Sequence, residues 1–163
     1  MTRGPDRRGS ESTVQDPASR RSHCHTGQPG CSDARLDLPR PRESARILVI
    51  DDYSGVVDIL ATALSEEGYG ISSAATCDEG LQLFIASCPD LVLLDIALPG
   101  MNGIEVLKRI RSISPTARVV MVSGDSARSR EALDLGALAC VNKPFDLADL
   151  KRVVAAALQD NPF

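Results

Sequence analysis

From Arg46 onward, short continuous apolar runs alternate with amphipathic stretches, and each of four runs delivers a polar residue at its C-terminal end. Ile47-Leu48-Val49-Ile50 runs into Asp51-Asp52, and Leu91-Val92-Leu93-Leu94 into Asp95. Val119-Val120-Met121-Val122 runs into Ser123, and Ala139-Cys140-Val141-Asn142 into Lys143. A run that is apolar without alternation suits a strand covered on both faces, which is the habit of parallel sheets between helix layers. The first run leads into a helical stripe of Val56, Val57, Leu60, Ala63 and Leu64, closed by Glu66-Glu67-Gly68. A second strand is expected near Tyr69–Ala74, then a helix starting at Asp78-Glu79-Gly80 and carrying Leu81, Phe84 and Ile85.

After the strand Leu91–Leu94, Pro99-Gly100 marks a turn, and Ile104, Leu107 and Ile110 recur at helical spacing. Ser126–Leu135 has the poorest period of the expected helices, with Gly136 as its stop. The fifth strand is placed at Leu138–Val141, and Asp146 is suited to cap a last helix striped by Leu147, Leu150, Val153, Val154, Ala157 and Leu158. Five β–α units in succession predict an α/β fold: one doubly wound, five-stranded parallel sheet with helices on both faces. In such sheets ligands bind at the carboxyl ends of the strands. That edge would therefore carry three carboxylates, a hydroxyl and an ammonium.

Residues 1–44 differ in kind. They hold five of the ten prolines, no aromatic residue and little Leu, Ile or Val, so they cannot bury enough apolar surface to offset the entropy of ordering. A disordered Pro/Arg/Ser-rich extension over 1–44 and one domain over 45–163 are expected, the extension serving as an interaction arm or a tether, or being only a solvated appendage or the product of an upstream start not used in the cell. It carries eight arginines against six acids, whereas 45–163 carries ten basic and sixteen acidic side chains. A domain with a net charge of −6 is a poor candidate for direct nucleic-acid binding.

The five cysteines (Cys24, Cys31, Cys77, Cys88, Cys140) are odd in number and scattered, with no CxxC, which argues for a reducing compartment. His23-Cys24-His25 with Cys31 matches no standard zinc spacing. No apolar run reaches the ~18–20 residues of a bilayer span, and neither Arg7-Arg8 nor Arg20-Arg21 is followed by a signal-like apolar stretch. A cytoplasmic protein without membrane contact is expected.

Adjacent acids after one strand and a third acid after another supply hard oxygen ligands of the kind Mg²⁺ prefers. Carboxylates so close repel one another; a cation offsets that repulsion and would also neutralise an incoming phosphoryl group. A strand-end hydroxyl and a lysine, acting as a compact point charge, can then take phosphoryl oxygens. Singly, each residue has a plainer reading, since an Asp after a strand is usually a helix cap or a turn former. It is the five in this order that carry the argument.

In these segments, with Leu98-Pro99-Gly100-Met101-Asn102-Gly103, Val122-Ser123-Gly124, Gly136-Ala137 and Asn142-Lys143-Pro144-Phe145, residues 46–160 resemble the receiver domain of bacterial two-component response regulators, in particular the stand-alone chemotaxis type. The resemblance covers 115 of the 163 residues. It implies a flavodoxin-like sheet of order 2-1-3-4-5 and a cis Lys143-Pro144 bond. Asp95 would be the phosphoacceptor, attacking the phosphorus of a phosphohistidine. Asp52, Asp95 and the Ala97 carbonyl would bind Mg²⁺ directly, and Asp51 through water. Ser123 would hydrogen-bond the phosphoryl group and Lys143 would pair with it. The implied partners are a sensor histidine kinase or a histidine phosphotransfer protein, and an unknown downstream protein. The implied activity is that of a phosphoprotein in phosphorelay signal transduction, not a metabolic enzyme: it catalyses only its own phosphorylation and dephosphorylation.

The chain departs from the family in three places. Cys140 stands three residues before the lysine, where the family usually has Tyr or Phe, so the ring that reports phosphorylation on the outer face is missing. The interval from Ser123 to Lys143 is shorter than is usual. No effector module is expected after the last helix, which would point to output by protein–protein contact or phosphate relay. The competing reading is a phosphorylation-independent interaction module with an uncoupled output face. A phosphatase or mutase using an aspartyl-phosphate is disfavoured, because those families place a second Asp two residues after the nucleophile and Ala97 stands there. Ala97 and Asp125 border the expected route of water to the phosphoaspartate. Ala97 has no group to position water; Asp125 does.

Overall fold

The computed structural model describes residues 45–159, and the expectations for the N-terminal extension and its His/Cys cluster lie outside them. Five strands and five helices alternate in chain order: β1 (Arg46–Ile50), α1 (Ser54–Ser65), β2 (Gly70–Ala74), α2 (Cys77–Ser87), β3 (Leu91–Asp95), α3 (Gly103–Ile113), β4 (Val119–Ser123), α4 (Ser126–Asp134), β5 (Ala139–Asn142) and α5 (Leu147–Leu158). All strand pairs are parallel and the sheet order is β2-β1-β3-β4-β5, as expected.

The pleat sends successive side chains to opposite faces, so each apolar run feeds two cores. Leu48, Ile50, Val92, Leu94, Val119 and Met121 face one layer with α2, α3 and α4. Ile47, Val49, Leu91, Leu93 and Val120 face the other with α1 and α5. Every residue of β3 and β4 is buried, which is why these strands read as unbroken apolar runs.

Three strands extend past their expected ends or slide. Asp95 is part of β3, paired with Val122, and Ser123 is part of β4, paired with Asn142, the last residue of β5. The ladder is made by main-chain groups, so a polar side chain does not stop it. The helices start where small polar side chains cap them. Thr76 Oγ1 accepts from Glu79 N, so α2 begins one residue before the Asp78-Glu79-Gly80 start expected. Asn102, Asp125 and Asp146 cap α3, α4 and α5 in the same way. Gly136, at φ +93°, turns the chain after α4, where the Ala137 amide donates back to the Ala132 carbonyl. The Lys143-Pro144 bond is cis, as the resemblance implied.

Gly103 needs its hydrogen side chain for space. A Cβ there would lie 2.1 Å from the Asp95 carbonyl oxygen and 2.8 Å from Ile96 Cα. The first turn of α3 thus presses directly on the end of β3, and the Gly103 amide donates to the Ile96 carbonyl.

Candidate functional site

β1 and β3 are neighbours, while the chain leaves β1 for β2 on the other side. The crevice between β1 and β3 is therefore the topological switch point of the sheet, where doubly wound folds bind ligands. Ile50 pairs with Leu94, so Asp51 and Asp95 follow at the same level on adjacent strands. Both are nearly fully buried, at 3% and 5% exposure, and Asp52 beside them is exposed. Carboxylate oxygens of all three lie within 4.8 Å of one another.

Lys143 reaches in from the end of β5. Its Nζ lies 2.8 Å from Asp51 Oδ2 and 2.9 Å from Asp95 Oδ2. Burial pushes the pKa of this ammonium down, but its hydrogen bonds and charge attraction to Asp51 and Asp95 outweigh that and hold it above the ordinary lysine value. The remaining oxygens of both acids take main-chain donors. Tyr53 N donates to Asp51 Oδ1 at 2.9 Å, and Ala97 N to Asp95 Oδ1 at 3.2 Å. These bonds fix the two carboxylates while leaving the exposed mouth to Asp52 and Ala97.

Ser123 is buried at the end of β4, on the other side of β3, and its carbonyl accepts from Lys143 N at 2.7 Å. Its hydroxyl is engaged within its own loop, accepting from Asp125 N and donating to the Asp125 carbonyl. Asp125, weighed above as a group for holding water, uses Oδ1 to cap α4 through Ala127 N and Arg128 N, and its Oδ2 pairs with Arg128. Cys140, in place of the aromatic, is half-buried, and its Sγ donates to the Ser129 carbonyl at 3.2 Å. Burial raises its pKa, so the thiol keeps its proton and remains a donor.

Gly103, Ser129 and Asn142 were not singled out by sequence reasoning as part of this neighbourhood. Gly103 and Asn142 carried a signal as members of the Leu98–Gly103 and Asn142–Phe145 segments. Ser129 carried none and becomes visible only through contacts between β4, α4 and β5.

The family match decides what this arrangement belongs to. The response regulator receiver domain matches residues 47–155. The chain is a member of the response regulator receiver domain family. Among relatives of this receiver, sporulation initiation phosphotransferase F of Bacillus subtilis (strain 168) is 38% identical over 111 residues, covering 67% of this chain and 90% of that protein. The regulatory protein AtoC of Escherichia coli (strain K12) is 39% identical over 116 residues, 70% of this chain but 25% of AtoC. The uncharacterized transcriptional regulatory protein YkoG of Bacillus subtilis (strain 168) is 36% identical over 121 residues, and the chain spans about half (53%) of its length. The solved CheY-like receiver from Methanospirillum hungatei matches with a TM-score of 0.67 and 34% identity over 70% of this chain and 93% of that one. The receiver domain of NtrX from Brucella abortus gives 0.68 and 34%, over 71% and 99%.

Receiver domains are signalling proteins that bind Mg²⁺ at an acidic pocket, and the donor set here fits that ion. Three carboxylates face one ammonium, which leaves the mouth net negative, and all the donors are hard oxygens. No helix among the described residues is long and apolar enough to cross a membrane.

Proposed function

We propose that this receiver is a phosphoacceptor in a two-component phosphorelay, with Asp95 as the residue phosphorylated. The observation that carries the reading is the Asp95 carboxylate itself. It is buried at the switch point, held by Lys143 and the Ala97 amide, and clustered with Asp51 and Asp52. A carboxylate oxygen of Asp95 attacks phosphorus, forming the acyl phosphate as the bond from phosphorus to the donor histidine nitrogen breaks. Lys143 moves from pairing two carboxylates to pairing one carboxylate and a phosphoryl oxygen, and Ser123 turns its hydroxyl to another. Asp51, Asp52, Asp95 and the Ala97 carbonyl would hold Mg²⁺, which supplies neutralisation of the charge that gathers on the transferring group. Catalysis is positioning and electrostatic stabilisation rather than proton transfer.

The donor is a histidine kinase or a histidine phosphotransfer protein in the cytoplasm, and output is by protein–protein contact. The similarity to a phosphotransferase supports phosphate relay as the form of that output. The test is phosphorylation of the full chain by a small phosphodonor such as acetyl phosphate, with and without Mg²⁺, read by intact mass. One added phosphoryl group that requires Mg²⁺ and vanishes in Asp95→Asn is expected. A wild-type chain that stays unmodified would leave the phosphorylation-independent interaction module in its place.

A further inference from the structure

The missing aromatic raises the question of how the pocket could speak to the α4–β5 face, and the hydrogen bonds around α4 suggest a route. The Asp125 carbonyl oxygen accepts from three donors: Ser123 Oγ at 3.1 Å, Ser129 N at 3.1 Å and Ser129 Oγ at 3.0 Å. A carbonyl oxygen has two lone pairs, so three donors crowd it. Ser129 Oγ also lies 3.4 Å from Asn142 Oδ1, and a hydroxyl has one proton to share between two acceptors. Asn142 is the sheet partner of Ser123 and the residue before Lys143. The Ser129 carbonyl in turn accepts from the Cys140 thiol. Ser129 thus touches the loop that holds Ser123, the end of β5, and the residue that stands where the family keeps its ring.

We propose that Ser129 couples the phosphoacceptor pocket to the α4–β5 face, its hydroxyl being shared between the Asp125 carbonyl and Asn142 and redistributed when Ser123 turns toward the phosphoryl group. This rests on the phosphoacceptor reading above. When Ser123 Oγ leaves Asp125, the carbonyl keeps two donors, both from Ser129, and neither lone pair is orphaned. The Ser129 proton then commits to Asp125 and releases Asn142, loosening the end of β5 from α4. At Gly124 nothing lies within 4 Å of where a Cβ would sit, so the loop is open on that side. The device needs no ring: Cys140 fastens β5 to the same turn of α4 that carries the moving hydroxyl.

The experiment records backbone amide NMR spectra of the full chain before and after adding Mg²⁺ and beryllofluoride, a phosphoryl mimic, in wild type, Ser129→Ala and Asn142→Ala. Asn142 is exposed, so that variant carries the test should the buried Ser129 position prove intolerant. In wild type, shifts are expected at Asp95 and Ala97 and at Leu133, Cys140 and Asn142. In both variants the pocket shifts persist and the shifts at Leu133 and Cys140 fall by more than half. Variants that respond across α4 and β5 as wild type does overturn the coupling role. So does a wild type whose pocket responds while its α4–β5 face stays still. Absence of any pocket response in wild type removes the phosphoacceptor reading, and the coupling with it.

Discussion

At the scale of single residues, the charge balance of the pocket is the dominant fact. Three carboxylates crowd within 4.8 Å and one ammonium answers them, bonded to Asp51 and Asp95. Like charges so placed destabilise the folded chain when no cation is present. Asp52→Asn removes one negative charge from the exposed mouth without touching either lysine contact. Its thermal midpoint in EDTA is expected a few degrees above that of wild type, while the rise that Mg²⁺ gives wild type by binding the folded state is lost. Thermal melts of both proteins with EDTA and with Mg²⁺ check both halves. A wild-type midpoint that ignores Mg²⁺ would count against the metal assignment of Asp52. That Asp51, Asp95 and Lys143 meet at one sheet edge was legible in the sequence, because Asp95 closes its strand and the other two directly follow theirs. The orientation of Ser123 was not, since nothing in the chain around Val119–Ser123 says that its hydroxyl binds Asp125.

Among the elements, α3 and α4 make opposite contributions. α3 buries Gly103, Ile104, Val106, Leu107 and Ile110, and its first turn rests on the main chain of β3 at Asp95 and Ile96. Gly103→Ala places a methyl against backbone that cannot yield cheaply, and is expected to destabilise by about 3 kcal/mol. Because the clash is with the Asp95 carbonyl, the variant should also weaken phosphorylation by acetyl phosphate. Urea unfolding and intact mass together check this, and a stable variant would mean that α3 shifts bodily. α4 buries only Ser129 and Ala132 among its nine residues, which explains its poor apolar period. A helix held by so few apolar contacts opens at lower cost than its neighbours. That suits the exchange of hydrogen bonds proposed for its first turn.

At the scale of the whole molecule, the central strands belong to two cores at once. Leu94 faces the layer of α2, α3 and α4, while Leu93 beside it faces the layer of α1 and α5, which includes the buried Tyr69. Such a sheet ties both layers into one cooperative unit. Leu94→Ala, at a fully buried position, is expected to cost about 3 kcal/mol. The loss should appear equally in circular dichroism and in tyrosine fluorescence, to which Tyr69 contributes from the opposite layer. Midpoints that separate between the two probes would show that the layers unfold independently.

What the sequence determined alone is the list of parts: four apolar runs and a weaker fifth strand alternating with five helical stretches, with acids, a serine and a lysine at the strand ends. Local periodicity encodes the type of each element and the face it buries, and a strand-end polar residue is local as well. Lateral neighbours are not local. The order β2-β1-β3-β4-β5 sets Asp51 beside Asp95, and Lys143 closes on Asp51 from 92 positions away. The same order brings the Ser129 hydroxyl of α4 against the end of β5. Those adjacencies arise from crossover connections and from packing two helix layers on one sheet, so only the tertiary structure could decide them.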